Sequence, residues 1–494
     1  MDFLDPKKRR SYNIRLFIGF ILIAIAIVLG TTILALITAG YNINQKTGQI
    51  IQDGLVFINS QPVSANIYLN GVQNGTTNSR LNLSAGNYNL SLSQAGYHSW
   101  TNNIVIFGGD VLQLIYPYIF PINPIKTTIS IIPSQPTIAT SSPDRHWMLV
   151  SIPDQNGSFY NVDITNTKTA INTVSIPSNI LGNFPGTNIL SVVEWSTDNQ
   201  HVLFKDTYQG GIQYIMFDRI TPSNSFNVNQ TFSSTTFTSV SLDNKSFDKL
   251  YLYNQTSGDL LIGDVNTKQI SPILNNVISY WPYSNNQILY VTSDTKNNSV
   301  VDAKLWKSDG TSFVLKQLPV SNNYQLNMAS YNNNLYIVVG SSGSNYAYIY
   351  MNPSSSSGEI KNNQLIPTTL LALSSSAQKV TFSASARFIA LQSGQQFAVY
   401  DIQYDRHYRY QTNLNFQANE YASWMDGNRL YAVTDSKLNI WDFDGTNTVD
   451  FITANANITP LFNRDYNAVY SIIPDTNPAG QWKVIRNSLI ANKP

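Results

Sequence analysis

The hydrophobic rhythm of the chain changes once and decisively. Leu16 to Ala39 is an uncharged run rich in Ile, Leu and Ala, with Gly19 and Gly30 inside it. As a helix it spans about 36 Å, enough to cross a hydrocarbon core of about 30 Å with some tilt. Beyond residue 40 the period falls to two and stays there. Leu81-Asn-Leu-Ser-Ala-Gly86-Asn-Tyr-Asn-Leu-Ser-Leu92 alternates apolar and polar positions about a central glycine, while Trp147-Met-Leu-Val150 and Phe388-Ile-Ala-Leu391 are short continuous apolar runs bounded by turn residues. Both patterns predict β-strands, half-buried in the first case and fully buried in the second.

The strands fall into two blocks. Gly54 to Pro62 opens the first with an apolar strand, and Val63 to Leu69 is a second strand closed by Asn70-Gly71, a hairpin signal because both residues tolerate φ > 0. Gly86, Gly96-Tyr97 and the runs Ile104–Phe107 and Val111–Tyr116 complete a small all-β domain. Pro117, Pro121 and Pro124 read as a semi-rigid connector.

The second block repeats. Trp306-Lys-Ser-Asp309-Gly310-Thr311 returns as Trp441-Asp-Phe-Asp444-Gly445-Thr446, 441 − 306 = 135 residues later, or three periods of about 45. Looser copies occur throughout. Ser142-Pro143-Asp144, Trp195-Ser-Thr-Asp198, Ser241-Leu-Asp243, Trp281-Pro-Tyr-Ser284, Tyr331, Ser383-Ala-Ser385, Trp424-Met-Asp426-Gly427 and Arg464-Asp465 each precede an apolar strand. Several units close on an acid: Asp163, Asp218, Asp264 and Asp401. Eight units of about 45 residues predict an eight-bladed β-propeller, alternatively a seven-bladed one. Ring closure calls for a strand from one end to complete the blade at the other, and Thr128-Ile-Ser-Ile-Ile132 is placed to supply it.

Two families resemble these blocks. Ser60-Gln61-Pro62, Ala65-Asn-Ile-Tyr68, Asn70-Gly71, Gly75-Thr76, Leu83-Ser84-Ala85-Gly86-Asn-Tyr88 and Gly96-Tyr97 resemble the PEGA family of small extracytoplasmic β-sandwich domains. Asn70-Gly71 replaces that family's Asp-Gly turn, Asn78 stands where a proline is common, and the name-giving tetrapeptide is reduced to Ser84-Ala85-Gly86-Asn87. The resemblance implies a surface-presented prokaryotic module that attaches to a membrane or cell wall, and no catalysis. The Ser-Pro-Asp and Trp-Ser-x-Asp openings are similar to those of Tol-type periplasmic and WD-like propeller repeats, a likeness that speaks to the repeat and not to function. The expected organisation is a cytoplasmic basic tail (1–15), a transmembrane helix (16–39), a stalk (40–53), a PEGA-like β domain (54–120), a linker (121–130) and the propeller (131–494).

Charge sets the orientation. Lys7-Lys8-Arg9-Arg10 and Arg15 precede the apolar run, and only Lys46 follows closely. By the positive-inside rule the N-terminal side is cytoplasmic and the rest extracytoplasmic. The competing reading is a cleaved secretory signal, but its apolar core usually spans about 7–15 residues, and a cut after Ala39 would put the bulky Ile37 at −3. Only 12% of residues are charged and the net charge is +1, which leaves no basic field to hold nucleic acid. With no cysteine, disulfides, thiolate zinc sites and lipid-modified cysteines are excluded.

Candidate chemistry is sparse. There is no Gly-x-Ser-x-Gly elbow, no His-Glu-x-x-His and no phosphate-binding glycine loop, so no catalytic residue, metal or cofactor is expected. His98, His146, His201 and His407 read as surface or turn histidines, and Asp442-Phe-Asp444-Gly445 lacks the ligands that would continue a calcium loop. The Asn-x-Ser/Thr triplets, such as Asn74-Gly-Thr76 and Asn254-Gln-Thr256, are no more than chance supplies in so Asn-rich a chain. Tyr404, Arg406, Tyr408, Arg409 and Tyr410 form the candidate recognition patch, since Arg and Tyr are enriched at interface hot spots; the plainer reading is a blade-edge hairpin whose rings cover neighbouring strands. The expected function is a non-enzymatic, membrane-anchored binding or scaffold protein whose partners are the membrane, through the N-terminal helix, and cell-wall polymer or envelope proteins. Two alternatives stand beside it: a propeller-type hydrolase acting on carbohydrate or peptide, which requires paired carboxylates at the axial channel, and a structural component of envelope assembly.

Overall fold

A computed structural model of the protein describes residues 6–38, 40–43, 50–166, 171–182, 188–233, 237–284, 286–294, 297–354, 360–361, 364–476 and 479–491. Lys46 and the first five residues of the basic tail lie outside the described residues. The chain divides into two compact units, Met1–Ile122 and Asn123–Pro494.

The first unit begins with a helix, Pro6–Thr38, that starts earlier than the apolar run alone predicts; proline is well placed in a first helical turn. Its Arg10–Thr38 stretch is long and apolar enough to cross a membrane. The threonine hydroxyls inside it are satisfied within the helix: Thr31 Oγ1 donates to the Ile27 carbonyl at 2.9 Å and Thr32 Oγ1 to that of Val28 at 2.8 Å. That arrangement suits a medium without water.

The stretch read as a stalk is partly sheet. Tyr41–Ile43 pairs antiparallel with the start of Ile50–Ile58, Tyr41 opposite Gln52. Strand pairing at a sheet edge needs backbone groups only, so the absence of an apolar period there concealed it. The small domain is a sandwich. Ile50–Ile58 lies between Ser79–Ser84, antiparallel, and Val111–Leu114, parallel; the facing sheet runs Val72–Thr76, Asn66–Leu69, Gly86–Ser93, Trp100–Ile106. Val56, Ile58, Ile67, Leu90, Leu92, Trp100, Ile104 and Ile106 fill the space between, each at an alternate position of its strand.

The second unit consists of eight four-stranded antiparallel sheets, which settles the blade number at eight among the described residues. Seven run in simple sequence, with first strands Ala139–Ser141, Ile189–Trp195, Ser239–Asp243, Val277–Tyr283, Tyr324–Tyr331, Lys379–Phe382 and Ser423–Trp424. The eighth joins Leu461–Phe462, Ala468–Thr476 and Ala479–Ser488 to Lys126–Ile132 from the other end of the unit. The closing strand therefore starts at Lys126, inside the stretch read as linker (121–130). In blade 5 the fourth strand, Thr369–Ala372, follows an insertion that carries the small hairpin Ile360–Lys361 with Gln364–Leu365.

First strands of neighbouring blades lie against one another, as Val277–Tyr283 does against Tyr324–Tyr331 and the latter against Lys379–Phe382, so these strands are innermost and surround the axis. The core sits between blades. Leu149 and Phe159 of blade 1 pack with Phe204, Ile215 and Phe217 of blade 2; Ile132 and Val484 of blade 8 pack with Met148 and Val150 of blade 1. Both faces of each second and third strand are covered, which is why they read as unbroken apolar runs. Hydroxyls staple the innermost ring: Trp195 Nε1 donates to Thr140 Oγ1 at 2.8 Å, Trp424 Nε1 to Thr381 Oγ1 at 3.0 Å, and Tyr283 OH to Ser330 Oγ at 3.0 Å, each across a blade boundary.

Closure yields a direct prediction. Ile132 is fully buried while Ile131, its neighbour on the same strand, is 52% exposed. Ile132→Ala should cost about 2–5 kcal/mol, and Ile131→Ala should stay within about 0.5 kcal/mol, measured by denaturant unfolding of the full chain.

Candidate functional site

The Trp-x-x-Asp-Gly-Thr copies are third-to-fourth-strand turns with one shared hydrogen-bond scheme. The Thr311 amide and hydroxyl both donate to Asp309 Oδ1, at 2.9 and 2.5 Å; those of Thr446 donate to Asp444 Oδ1 at 3.1 and 2.6 Å. The Thr311 hydroxyl and amide hold the Asp309 carboxyl below the usual carboxylate range. Gly445, at φ 86°, needs a left-handed backbone, and a Cβ there would come within 2.5 Å of the Tyr410 ring. In the Asp442-Phe-Asp444-Gly445 stretch the carboxylates serve the turn: Asp444 is engaged as above and Asp442 Oδ2 accepts from Asn447 Nδ2 at 2.9 Å.

The closing acids of the other units do similar work. Asp163, Asp218 and Asp264 each use Oδ1 to accept from two backbone amides of the following turn. Asp163 and Asp218 sit opposite the first residue of the second strand and Asp264 opposite Lys249 within it, and in each case the partner is basic or flanked by a base. His146 Nε2 lies 3.4 Å from Asp163 Oδ2, and Arg387 grips Asp401 with two bonds of 2.9 and 2.7 Å. His201 is buried, with Nδ1 2.6 Å from Asp198 Oδ2 and Nε2 3.7 Å from Asp218 Oδ2, and stacks on Phe247 of blade 3 at 3.8 Å. Sequence reasoning took His146 and His201 for turn histidines and missed these clamps; the recurrent acid at the strand end, aligned with a base some 15 residues earlier, was the available signal. His407 Nε2 contacts Thr369 Oγ1 at 3.1 Å, and burial holds its imidazole below the ordinary value. Among the described residues no three His, Asp or Glu side chains converge as a metal site would require.

The recognition patch separates into two parts. Arg406–Gln411 is the outer strand of blade 6. Tyr408 meets Phe443 of blade 7 edge-on at 5.2 Å, and Tyr410 stacks on Phe397 at 5.2 Å while accepting a bond from Trp441 Nε1 at 3.1 Å. These two rings pack between blades. Tyr404, 41% exposed, lies between the guanidinium groups of Arg387 (4.9 Å) and Arg406 (5.7 Å), and Arg409 is exposed. Only Tyr404, Arg406 and Arg409 face outward.

Two further places bear on function. Among the described residues the innermost strands carry two carboxylates, Glu194 and Asp243. Glu194 Oε1 accepts from the Leu242 amide at 2.6 Å and Oε2 pairs with Lys245; Asp243 Oδ1 accepts from Tyr251 OH at 3.0 Å. Secondly, a cleft of about 580 Å³ opens between blades 1 and 2, on the side of the second-to-third-strand turns. Ile138, Leu181 and Leu190 form its floor; Asp154, Gln155, Asn156 and Asn188 border it. Behind Asn188, whose Nδ2 donates to Asp206 Oδ2 at 3.2 Å, Asp206 is fully buried; Gln213 donates to the same oxygen at 2.8 Å, and Oδ1 has no hydrogen-bond partner among the described residues. Burial pushes this carboxyl above its ordinary range, against the two hydrogen bonds.

Residues 53–117 match the PEGA domain model, so the small sandwich is a PEGA domain. Among curated proteins nothing matches the chain. Solved structures similar to it include the Dos1 propeller (12% identity, 74% of this chain and 95% of that one, TM-score 0.43), oligogalacturonate lyase in complex with manganese (9%, 73% and 98%, 0.39) and the tricorn protease (12%, 73% and 39%, 0.38). The likeness is to a propeller and fixes neither ligand nor reaction.

Two outcomes follow. Tyr410→Ala should lose about 3 kcal/mol of stability, and Arg409→Ala should change it by less than about 0.5 kcal/mol, both read from unfolding midpoints. Asp206 has a folded-state pKa above its unfolded value, so the wild type loses stability as pH rises through the carboxyl's folded-state range. Asp206→Asn removes that loss, and its gain in Tm over wild type should widen between about pH 4 and about pH 8.

Proposed function

We propose that this chain is a non-enzymatic, membrane-anchored extracytoplasmic binding scaffold. Its helix lies across the bilayer with the Lys7–Arg10 side in the cytoplasm, and its propeller recognises an envelope polymer or protein. The observation that carries the reading is the use of the carboxylates around the axis. Glu194 and Asp243, the two acids on the innermost strands, are tied to an amide, a lysine and a tyrosine. Glycoside cleavage needs two carboxyl groups facing a shared substrate, about 5–10 Å apart and free to exchange protons. Structural engagement of both acids favours recognition over hydrolysis.

The cleft between blades 1 and 2 is the recognition surface. An aliphatic floor bordered by amides and a single exposed carboxylate, Asp154, buries apolar ligand surface and orients it by neutral hydrogen bonds. Leu181 and Gly182, and Asn188 before the first strand of blade 2, line the cleft, where binding residues are expected on a scaffold of rigid strands. The PEGA domain separates the helix from the propeller in sequence. The chain enters at one end of its nine-residue strand Ile50–Ile58, about 30 Å long, and leaves past the other.

The full chain in detergent, offered wall polymer, defined glycans and solubilised envelope proteins in parallel, should retain one of them. Asp154→Lys combined with Asn156→Ala should weaken that binding at least tenfold with an unchanged Tm. Binding that survives the double substitution removes the cleft from the reading, and shortened polymer in the bound fraction replaces it with hydrolysis.

A further inference from the structure

We infer that the PEGA domain is seated end-on in the outer membrane–water interface, with the side chains around its Phe107–Asp110 turn inserted among lipid headgroups. The inference rests on the reading of Pro6–Thr38 as a membrane anchor. A ladder of backbone hydrogen bonds leads from the helix end to this turn: the Gly40 amide donates to the Ile37 carbonyl at 3.0 Å, Asp53 to Gly40 at 2.7 Å, and Gly109 to Asp53 at 3.1 Å. Two strand spacings, about 10 Å, thus separate the turn from the residue that follows the span. The turn is tightly fixed. Leu55 N donates to the Asp110 carbonyl at 2.9 Å, and a Cβ on Gly108 would come within 2.9 Å of Gln52.

This end of the sandwich exposes apolar groups. Phe107 is 58% exposed, Val111 55%, Val105 52% and Tyr41 37%. The register puts them at one end of the sandwich: Val105 pairs with Asn87 near the end of Trp100–Ile106, Phe107 follows that strand, and Val111 pairs with Leu55, two residues from Asp53. Exposure alone does not select this end, because Val63, at the opposite end, is 55% exposed. Position selects it. The headgroup layer adds about 5–8 Å on each side of the hydrocarbon core, so side chains reaching back from a turn about 10 Å from Gly40 enter that layer, and aromatic rings with aliphatic neighbours are the side chains that partition there. Asp110, exposed in the same turn, gives no attraction to anionic lipid, so the interaction is with neutral interface.

The chain has no cysteine, so single substitutions take a fluorophore cleanly. Full-length Phe107→Cys, Val63→Cys and Ile27→Cys, each carrying an environment-sensitive dye, would be reconstituted into phosphatidylcholine vesicles containing brominated lipid. The expected pattern is strong quenching at 27, intermediate quenching at 107 and none at 63. In a second pair, a dye on Val111→Cys should lose at least half of its quenching when Phe107→Asp is added. Quenching at 27 without quenching at 107 overturns the seating and leaves the anchor in place. Equal quenching at 63 and 107 also overturns it, since the domain then lies flat. Absence of quenching at 27 overturns the anchor and the seating together.

Discussion

Closure of the ring is the constraint on which the larger unit depends. Seven of its sheets take their strands in sequence, but the eighth has an unpaired edge at Ala479–Ser488 until Lys126–Ile132 pairs with it, Ile132 opposite Trp482 and Lys126 opposite Asn487. An open ring would expose that edge and the apolar face shared by blades 8 and 1, a template for association with other chains. Because the closing strand lies immediately after the PEGA domain in sequence, the first residues of the second unit must find the last before the interface of blades 8 and 1 is complete. Such a contact has the greatest sequence separation in the fold, and loop-closure entropy makes it the late and costly step. Its payment comes from blade-to-blade burial, since Tyr470 OH also reaches across to donate to the Ile164 carbonyl at 2.9 Å.

The same architecture explains where the polar chemistry went. A propeller turns between its third and fourth strands once per blade, and each turn presents unpaired backbone amides at a rim. Asp163, Asp218, Asp264, Asp309 and Asp444 satisfy them. Bases from the adjacent strand start then neutralise several of these acids or their neighbours, as Arg387 does for Asp401 and Arg429 for Asp426. With 12% charged residues, much of the charged inventory is spent on holding turns, and what remains for recognition is amide, hydroxyl and aromatic.

The repeat and the small domain were legible because their determinants are local. Asn70-Gly71, the two Trp-x-x-Asp-Gly-Thr turns and the apolar second strands each encode their own backbone geometry. The closing strand was legible for a different reason: a ring demands one, and Thr128–Ile132 was the apolar alternating run left over. What could not be read depends on which blade faces which. The plainer reading of Tyr408 and Tyr410 as blade-edge rings covering neighbouring strands describes them, but the partners that cover them, Phe443 and Trp441, stand more than 30 residues away and no local pattern names them. Tyr41–Ile43 escaped notice because a backbone-only pairing leaves no side-chain period. The cleft beside Asp206 is similarly a product of two neighbouring blades, Ile138 from one and Leu190 from the next, and no window of sequence contains it.

A ring with so few charges must specify its blade order by shape and by oriented hydrogen bonds. Trp195 and Trp424 stand at corresponding places in blades 2 and 7, and each directs its indole N–H at a threonine of the preceding blade; Tyr280 OH and Ser241 Oγ, 3.0 Å apart, do the same between blades 3 and 4. An indole donates from one nitrogen in one direction, so it reports both the distance and the rotation of its neighbour, whereas an apolar contact tolerates sliding. The tryptophans of the looser copies, Trp195 and Trp424, are therefore gauges that set one blade against the next.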